Sequence, residues 1–281
     1  MNILTFDLED WFHILDFKDT EHPAQWVNFE SRVEANTDKI LQILEHKKIK
    51  ATFFCLGWIA EKYPALVRRI SEKHEIACHS MNHQLIYSQS RSEFKEDLHK
   101  SVAVLEAVTG KKVMAYRAPG FSLSREHGYV FEELVNAGIK IDSSVFPAAR
   151  NHGGIPDFPV QAPCLITGSG FEMVEFPINT RKFLFKQIVF SGGGYFRLLP
   201  YRFISRWMSE SDYVMTYFHP RDFDPGQPHL KNLSFKRSLM SYTGLHSSQV
   251  KLEKLLNDFK FVSLEETYAS INLRALPVIP L

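Results

Sequence analysis

Short β-branched runs alternate with helix-length apolar patterns through most of this 281-residue chain, and that alternation constrains the fold more than any other feature. Ile3–Asp7, Ala51–Cys55, Glu75–Cys78, Val113–Tyr116, Ile139–Ile141, Val174–Pro177, Tyr213–Phe218 and Phe261–Val262 read as strands. Ser31–His46 carries Val33, Ile40, Ile43 and Leu44 at helical spacing. Ser92–Thr109 puts Phe94, Leu98, Val102, Leu105 and Val108 on one face, and Gly110 is a natural stop. Ile59–Lys73, with Pro64 in its early part, Glu126–Ala137, Arg202–Ser209 and Gln249–Phe259 add further helical patterns. Strand-then-helix units repeated in this way predict an α/β fold with a parallel sheet closed into a barrel; an open doubly wound sheet is the alternative. No GxGxxG follows the first strand and no Walker A motif occurs, which weakens dinucleotide and nucleoside-triphosphate readings.

With no internal repeat, low-complexity segment or clear linker, residues 1–281 read as a single domain. Asn151–Gly170, rich in Pro and Gly, forms a surface excursion, and Ser191–Gly194 a second loop. Lys and Arg number 33 against 32 Asp and Glu, a balance that argues against a nucleic-acid partner. No apolar run is long enough to span a membrane, while peripheral association stays open. The opening MNILTFDLEDW lacks the basic and apolar regions of a secretory signal, so a cytoplasmic location is expected. Cys55, Cys78 and Cys164 form no CxxC pair and read as small buried hydrophobes.

Polar residues recur where the strands end. Asp7, Glu9 and Asp10 follow the first, His79 and His83 the third, Arg117 the fourth, Asp142 the fifth, and His219 the strand Tyr213–Phe218. Barrels of this kind place their chemistry at the carboxyl ends of strands. His79 and His83, four apart, can share one metal ion if the segment turns helically after its strand. Two imidazoles and one carboxylate, with positions left for water, make a catalytic-metal set.

Taken in order, TFDLED, HSMNH, RAPGFS, DSSVFP and YFHP resemble the five motifs of the polysaccharide deacetylases, carbohydrate esterase family four, over roughly residues 1–222. GGGYFRLLP and the segment around Leu252–Phe261 resemble the subgroup found with exopolysaccharide and lipopolysaccharide synthesis, which makes the part from about residue 223 subgroup-specific. The resemblance implies a distorted, incomplete (β/α) barrel of about seven strands. It also implies a hydrolase that removes an N-acetyl group from an amino sugar in a polysaccharide, glycolipid or nucleotide-linked precursor. By the same resemblance Asp7 is the general base, Arg117 orients it, His219 is the general acid, and His79 and His83 are metal ligands. Asp10 is favoured as the carboxylate ligand, with Glu9 the alternative. The implied cofactor is one divalent ion, zinc first, with cobalt, nickel, manganese or iron also suited. Gly120 would supply an oxyanion-binding N–H.

The pattern also departs from the family. DSSVFP lacks the tryptophan that walls the acetyl pocket, and Phe146 would substitute. Gly120 stands where an aromatic is usual, and Thr216 where a leucine is. Phe121, Phe146, Tyr195 and Arg197 are the candidate substrate contacts, although Arg197 in a plain turn is an equal reading. His13 reads either as support for the carboxylates or as an ordinary loop histidine, and Asp142 as structural. Two rivals follow: a hydrolase of another amide or cyclic ureide on the same fold, and a non-catalytic carbohydrate-binding protein.

Overall fold

The computed structural model describes residues 1–15, 17–183, 186–230 and 233–281. Its strands are β1 (Asn2–Ile3), β2 (Thr5–Leu8), β3 (Thr52–Cys55), β4 (Glu75–Cys78), β5 (Ala115–Tyr116), β6 (Ile141–Asp142), β7 (Cys164–Gly168), β8 (Phe171–Glu175), β9 (Arg181–Phe183), β10 (Lys186–Ile188), β11 (Val214–Met215) and β12 (Val278–Pro280). The helices are α1 (Pro23–Trp26), α2 (Val33–Lys47), α3 (Gly57–Lys62), α4 (Pro64–Ser71), α5 (Arg91–Thr109), α6 (Tyr129–Asn136), α7 (Gly193–Leu198), α8 (Tyr201–Ser209), α9 (Phe235–Tyr242), α10 (Leu245–Asp258) and α11 (Leu264–Ser270).

β2, β3, β4, β5, β6 and β8 lie side by side in parallel. On the other side of β2, β1 pairs with β11, and Phe6 bridges Phe218 just beyond it. Seven staves result when β1 and β2 are counted as one. Between β8 and β11 side chains close the wall: Tyr213 Oη donates to the Pro177 carbonyl (2.8 Å), and Met215 N–H to Asn179 Oδ1 (3.0 Å). The sheet is therefore a distorted, incomplete (β/α) barrel, as the family resemblance implied.

Side-chain alternation along each stave separates two cores. Ile3, Phe54, Ala77, Ala115, Ile141, Val174 and Met215, one from each stave, fill the barrel interior as a layer. Phe6, Leu8, Phe53, Cys55 and Cys78 face outward against the apolar stripes of the helices. Asp7 thus shares the inward face of β2 with Thr5, which explains how a carboxylate comes to sit inside a barrel.

Three local expectations give way. The pattern over 59–73 is two helices, because Pro64 has no N–H to continue the first and Tyr63 leaves helical geometry (φ −129°, ψ 56°). Part of the excursion expected over 151–170 is β7, which forms a hairpin with β8 through a turn containing Gly170 at φ +86°. Half of the SGGG loop, Gly193 and Gly194, enters α7. All three cysteines are buried and unpaired.

Candidate active site

The site is assembled by backbone hydrogen bonds at the carboxyl ends of the staves. Asp7 N–H donates to the Phe218 carbonyl (2.7 Å), which brings His219 alongside Asp7. Arg117 N–H donates to Cys78 (3.0 Å) and His79 N–H to Cys55 (3.0 Å), carrying register from stave to stave.

Arg117 is completely buried. Its Nη1 donates to Asp7 Oδ1 (2.6 Å) and Thr5 Oγ1 (2.8 Å), and its Nη2 to Ser143 Oγ (3.1 Å). The guanidinium lies 3.9 Å from the Phe54 ring centroid. Removing one member of a buried ion pair leaves an uncompensated charge, at about 3–5 kcal/mol. The arginine chooses Asp7 over Asp142. Asp142, the register partner of Glu175, hydrogen-bonds that second carboxyl, and burial raises the pKa of both. Glu175 Oε2 finds no donor among the described groups, so the pair requires a shared proton.

Glu9 Oε1 lies 3.0 Å from His79 Nε2 and 2.9 Å from His83 Nε2. His79 Nδ1 is 2.8 Å from the Arg117 carbonyl, an oxygen that can only accept, so Nδ1 carries the hydrogen. Whenever the ring is neutral, its Nε2 lone pair therefore points at a carboxylate oxygen. His83 Nε2 is close to the same oxygen but not in hydrogen-bonding orientation, and it is buried without a partner. Three lone pairs converging on one point fit a cation, with a donor set of the type that binds divalent transition metals.

The HSMNH segment is not the helical turn expected. Ser80 and His83 have positive φ (67° and 56°), and Ser80 Oγ accepts from His83 N–H (3.0 Å). Neighbours pin this loop: Gly57 and Trp58 N–H donate to the Ser80 and Met81 carbonyls, and Asp97 accepts from Met81 N–H. A Cβ at residue 57 would stand 2.3 Å from Met81 Sδ, so a larger residue there would have to displace Met81.

Asp10, the favoured carboxylate, is directed elsewhere. Its oxygens accept from Ser31 Oγ (2.5 Å) and from the N–H groups of Arg32 and Val33. These are the orphan donors at the start of α2, whose N-cap residue Arg32 makes no side-chain cap. Glu9, held as the alternative, is the carboxylate that meets the histidines.

His219 Nε2 stands 3.8 Å from Asp7 Oδ2 and 3.9 Å from Glu9 Oε1. Its Nδ1 is 3.1 Å from Asp222 Oδ2, which also accepts the His219 N–H. Burial alone would lower the His219 pKa, but Glu9, Asp222 and Asp7 raise it to about 9. A cation beside Glu9 would cancel part of that pull. Asp222 was not foreseen; the signal was present in His219-Pro-Arg-Asp222, where histidine and aspartate cap one another across a turn.

Arg197, a candidate substrate contact, lines the cavity over the site and also supports Asp222. Its Nε lies 3.1 Å from Asp222 Oδ1, while its Nη groups donate to the Met240, Ser241 and Thr243 carbonyls around the end of α9. Its buried guanidinium holds Asp222 in place behind His219.

Above these groups opens a cavity of 540 Å³ lined by Gly120, Phe121, Tyr195 and Tyr217, among others. Gly120 has φ +62°, and a Cβ there would stand 2.7 Å from Leu15 Cδ1. Phe146 lies outside the lining, packed on Phe121 beneath the Arg150 guanidinium. His13 also reaches the cavity wall; its Nδ1 accepts from Asp10 N–H (3.0 Å), and it packs against Trp26 and Trp58.

An incomplete (β/α) barrel with two histidines and carboxylates converging at its carboxyl end defines the class. Residues 17–140 match the family model "Polysaccharide deacetylase", and residues 143–269 match "Domain of unknown function (DUF3473)". The likeness to the polysaccharide deacetylase family is carried by residues 17–140. It is 36% identical over 84 residues to a peptidoglycan-N-acetylglucosamine deacetylase of Bacillus cereus, covering 30% of each chain. It is 27% identical over 150 residues to a chitooligosaccharide deacetylase of Sinorhizobium fredii, covering 52% of this chain and 68% of that one. Matches to two more Bacillus cereus peptidoglycan-N-acetylglucosamine deacetylases span 46% and 47% of those relatives, so this chain aligns with less than half of each of the three. A crystal structure from Mycobacterium smegmatis, assigned to the polysaccharide deacetylases, superposes with a TM-score of 0.67 at 18% identity. It covers 100% of this chain and 92% of that one, a likeness of fold.

Proposed function

We propose that the chain is a metal-dependent hydrolase that removes the N-acetyl group of an amino sugar, releasing acetate and a free amine. The observation that carries this reading is Asp7, ion-paired to Arg117, facing His219 across the convergence of Glu9, His79 and His83. Glu9, His79 and His83 would hold the divalent ion. Zinc suits two imidazoles and a carboxylate, and cobalt, nickel, manganese or iron the same geometry less specifically. When bound there, such an ion lowers the pKa of water and polarises a carbonyl oxygen.

The remaining steps fall to the chain's own residues. Asp7, fixed by Arg117, accepts the proton of the attacking water. Gly120 N–H, at the cavity wall, is the proposed donor to the developing oxyanion. His219, kept cationic by its carboxylate neighbours, gives a proton to the departing amine. Asp222 orients its ring, and Arg197 orients Asp222. Tyr195 and Phe121, which line the cavity, are the proposed sugar contacts. Amide hydrolysis needs both a base and an acid, and each has its own charged partner.

The family match and the acetyl-sugar deacetylases among the relatives favour this reaction over the ureide and binding-protein readings. The exopolysaccharide or lipopolysaccharide role and the cytoplasmic setting belong to the same proposal; cell fractionation tests the latter. Among the described residues no helix is long and apolar enough to cross a membrane. The test of the reaction is acetate release from acetylated chito-oligomers and acetylated amino-sugar phosphates, with allantoin turnover measured in parallel. Acetate from the sugars and none of the allantoin turnover supports the reading, and the reverse overturns it.

A further inference from the structure

The charges that line the active-site cavity are unevenly matched. Two of its carboxylates are held by cations, Asp7 by Arg117 and Asp222 by Arg197, while Glu9 faces the cation position it shares with His79 and His83. Among the described residues, two of its arginines are ion-paired to no carboxylate: Arg221, and Arg150, which hydrogen-bonds the Tyr217 side chain. Arg221, only partly exposed, directs Nε to Gln227 Oε1 (3.1 Å) and Nη1 to the Trp11 carbonyl (3.4 Å), both neutral acceptors. Arg150 lies with its guanidinium 4.4 Å from the Phe146 ring centroid and 5.7 Å from that of Phe121.

The Arg221 guanidinium, partly withdrawn from water without a bound counter-charge, is unfavourably placed unless something else compensates it, whereas Arg150 is exposed. Arginine also presents planar paired donors that suit phosphate and carboxylate oxygens better than sugar hydroxyls. The low-dielectric wall of a cavity strengthens that attraction. A neutral oligosaccharide would leave these arginines facing only hydroxyls.

We propose that the cavity binds an amino sugar carrying an anionic group, a phosphate ester or a carboxylate, which Arg221 and Arg150 hold beside the acetamido-bearing ring. This assignment rests on the deacetylase reading for its reaction, but not for its binding. It gives the cavity a substrate class that hydrolytic geometry alone does not specify.

Calorimetric binding and acetate release would be measured with N-acetylglucosamine-1-phosphate, N-acetylmuramic acid and neutral diacetylchitobiose. The zinc-loaded wild type would be compared with Arg150→Gln, Arg221→Gln and Arg221→Lys. The anionic sugars are expected to bind about tenfold or more tightly than the neutral one, as one charge-assisted contact allows. Each glutamine variant should narrow that ratio by about tenfold, and Arg221→Lys should retain part of it. Should Arg221→Gln fail to fold, exposed Arg150 carries the test. The tighter of the two anionic ligands identifies phosphate or carboxylate as the recognised group. Equal binding of neutral and anionic sugars, with ratios unmoved by the variants, overturns the proposal. Arginine-dependent binding without acetate release would uphold the anion site and overturn the deacetylase reading; equal acetate release with undiscriminating binding would do the opposite.

Discussion

Two buried acidic sites in the same barrel wall illustrate how neighbours decide what a carboxylate does. Asp7 faces the cavity and is bound to the fully buried Arg117. Asp142 and Glu175, both wholly buried, face each other instead of a cation and are driven toward sharing a proton. Both sites stand at the carboxyl ends of staves. One acid is ion-paired and opens on the cavity, and the other pair is pushed by burial toward its protonated form.

The largest expected effect is on turnover. Asp7→Asn removes the base while preserving shape and should cut acetate release by about a thousandfold, within the range for general-base catalysis. Asp142→Asn should leave most of it. Comparable losses in both variants would erase the distinction between the two sites.

Next comes stability. Arg117→Ala leaves Asp7 buried without its counter-charge and should destabilise the fold by about 3–5 kcal/mol in denaturant titrations. Glu175→Gln replaces a carboxyl that is already protonated in the native state, so its cost near pH 5 should be small.

The pH dependence sharpens the contrast. The Glu175 pKa is raised well above its ordinary 4.5 by burial, so the native state holds a proton that the unfolded chain releases. Stability from this group is full below 4.5 and declines as pH rises toward the native pKa. Denaturation curves between pH 5 and 8 should therefore slope downward, and Glu175→Gln should flatten the slope. His219 works in the catalytic direction. Its pKa of about 9 keeps the acid form through neutral pH, and activity should fall on the alkaline side. Asp222→Asn removes one of the charges that raise it and should move that limb down by about one pH unit. An unmoved limb would mean that Asp222 does not tune His219.

The staves and most helices were legible because period-2 and period-3.6 apolar patterns report burial directly. Asp7, Arg117, His79, His83 and His219 were singled out by family motifs standing at strand ends, and the structure brings them together. The choice between Glu9 and Asp10 was not legible from their own segment, because Asp10 is claimed by the start of a helix more than twenty residues later. The clue lay there: Arg32 cannot accept hydrogen bonds from the first turn of α2, so some distant acceptor had to. The role of Arg197 behind Asp222 was hidden for a similar reason. Its partners, Asp222 and the carbonyls of Met240, Ser241 and Thr243, lie on segments that only the fold brings near. Long-range partners of a buried polar group leave little trace in local pattern.

Acetate release from an acetylated amino sugar tests the central claim most directly, measured on one preparation as purified, after chelation, and after zinc is restored, with Asp7→Asn alongside. The predicted result is turnover that vanishes on chelation, returns with zinc, and stays about a thousandfold lower in the variant throughout. Turnover that survives chelation, or an Asp7→Asn variant as active as the wild type, would contradict it.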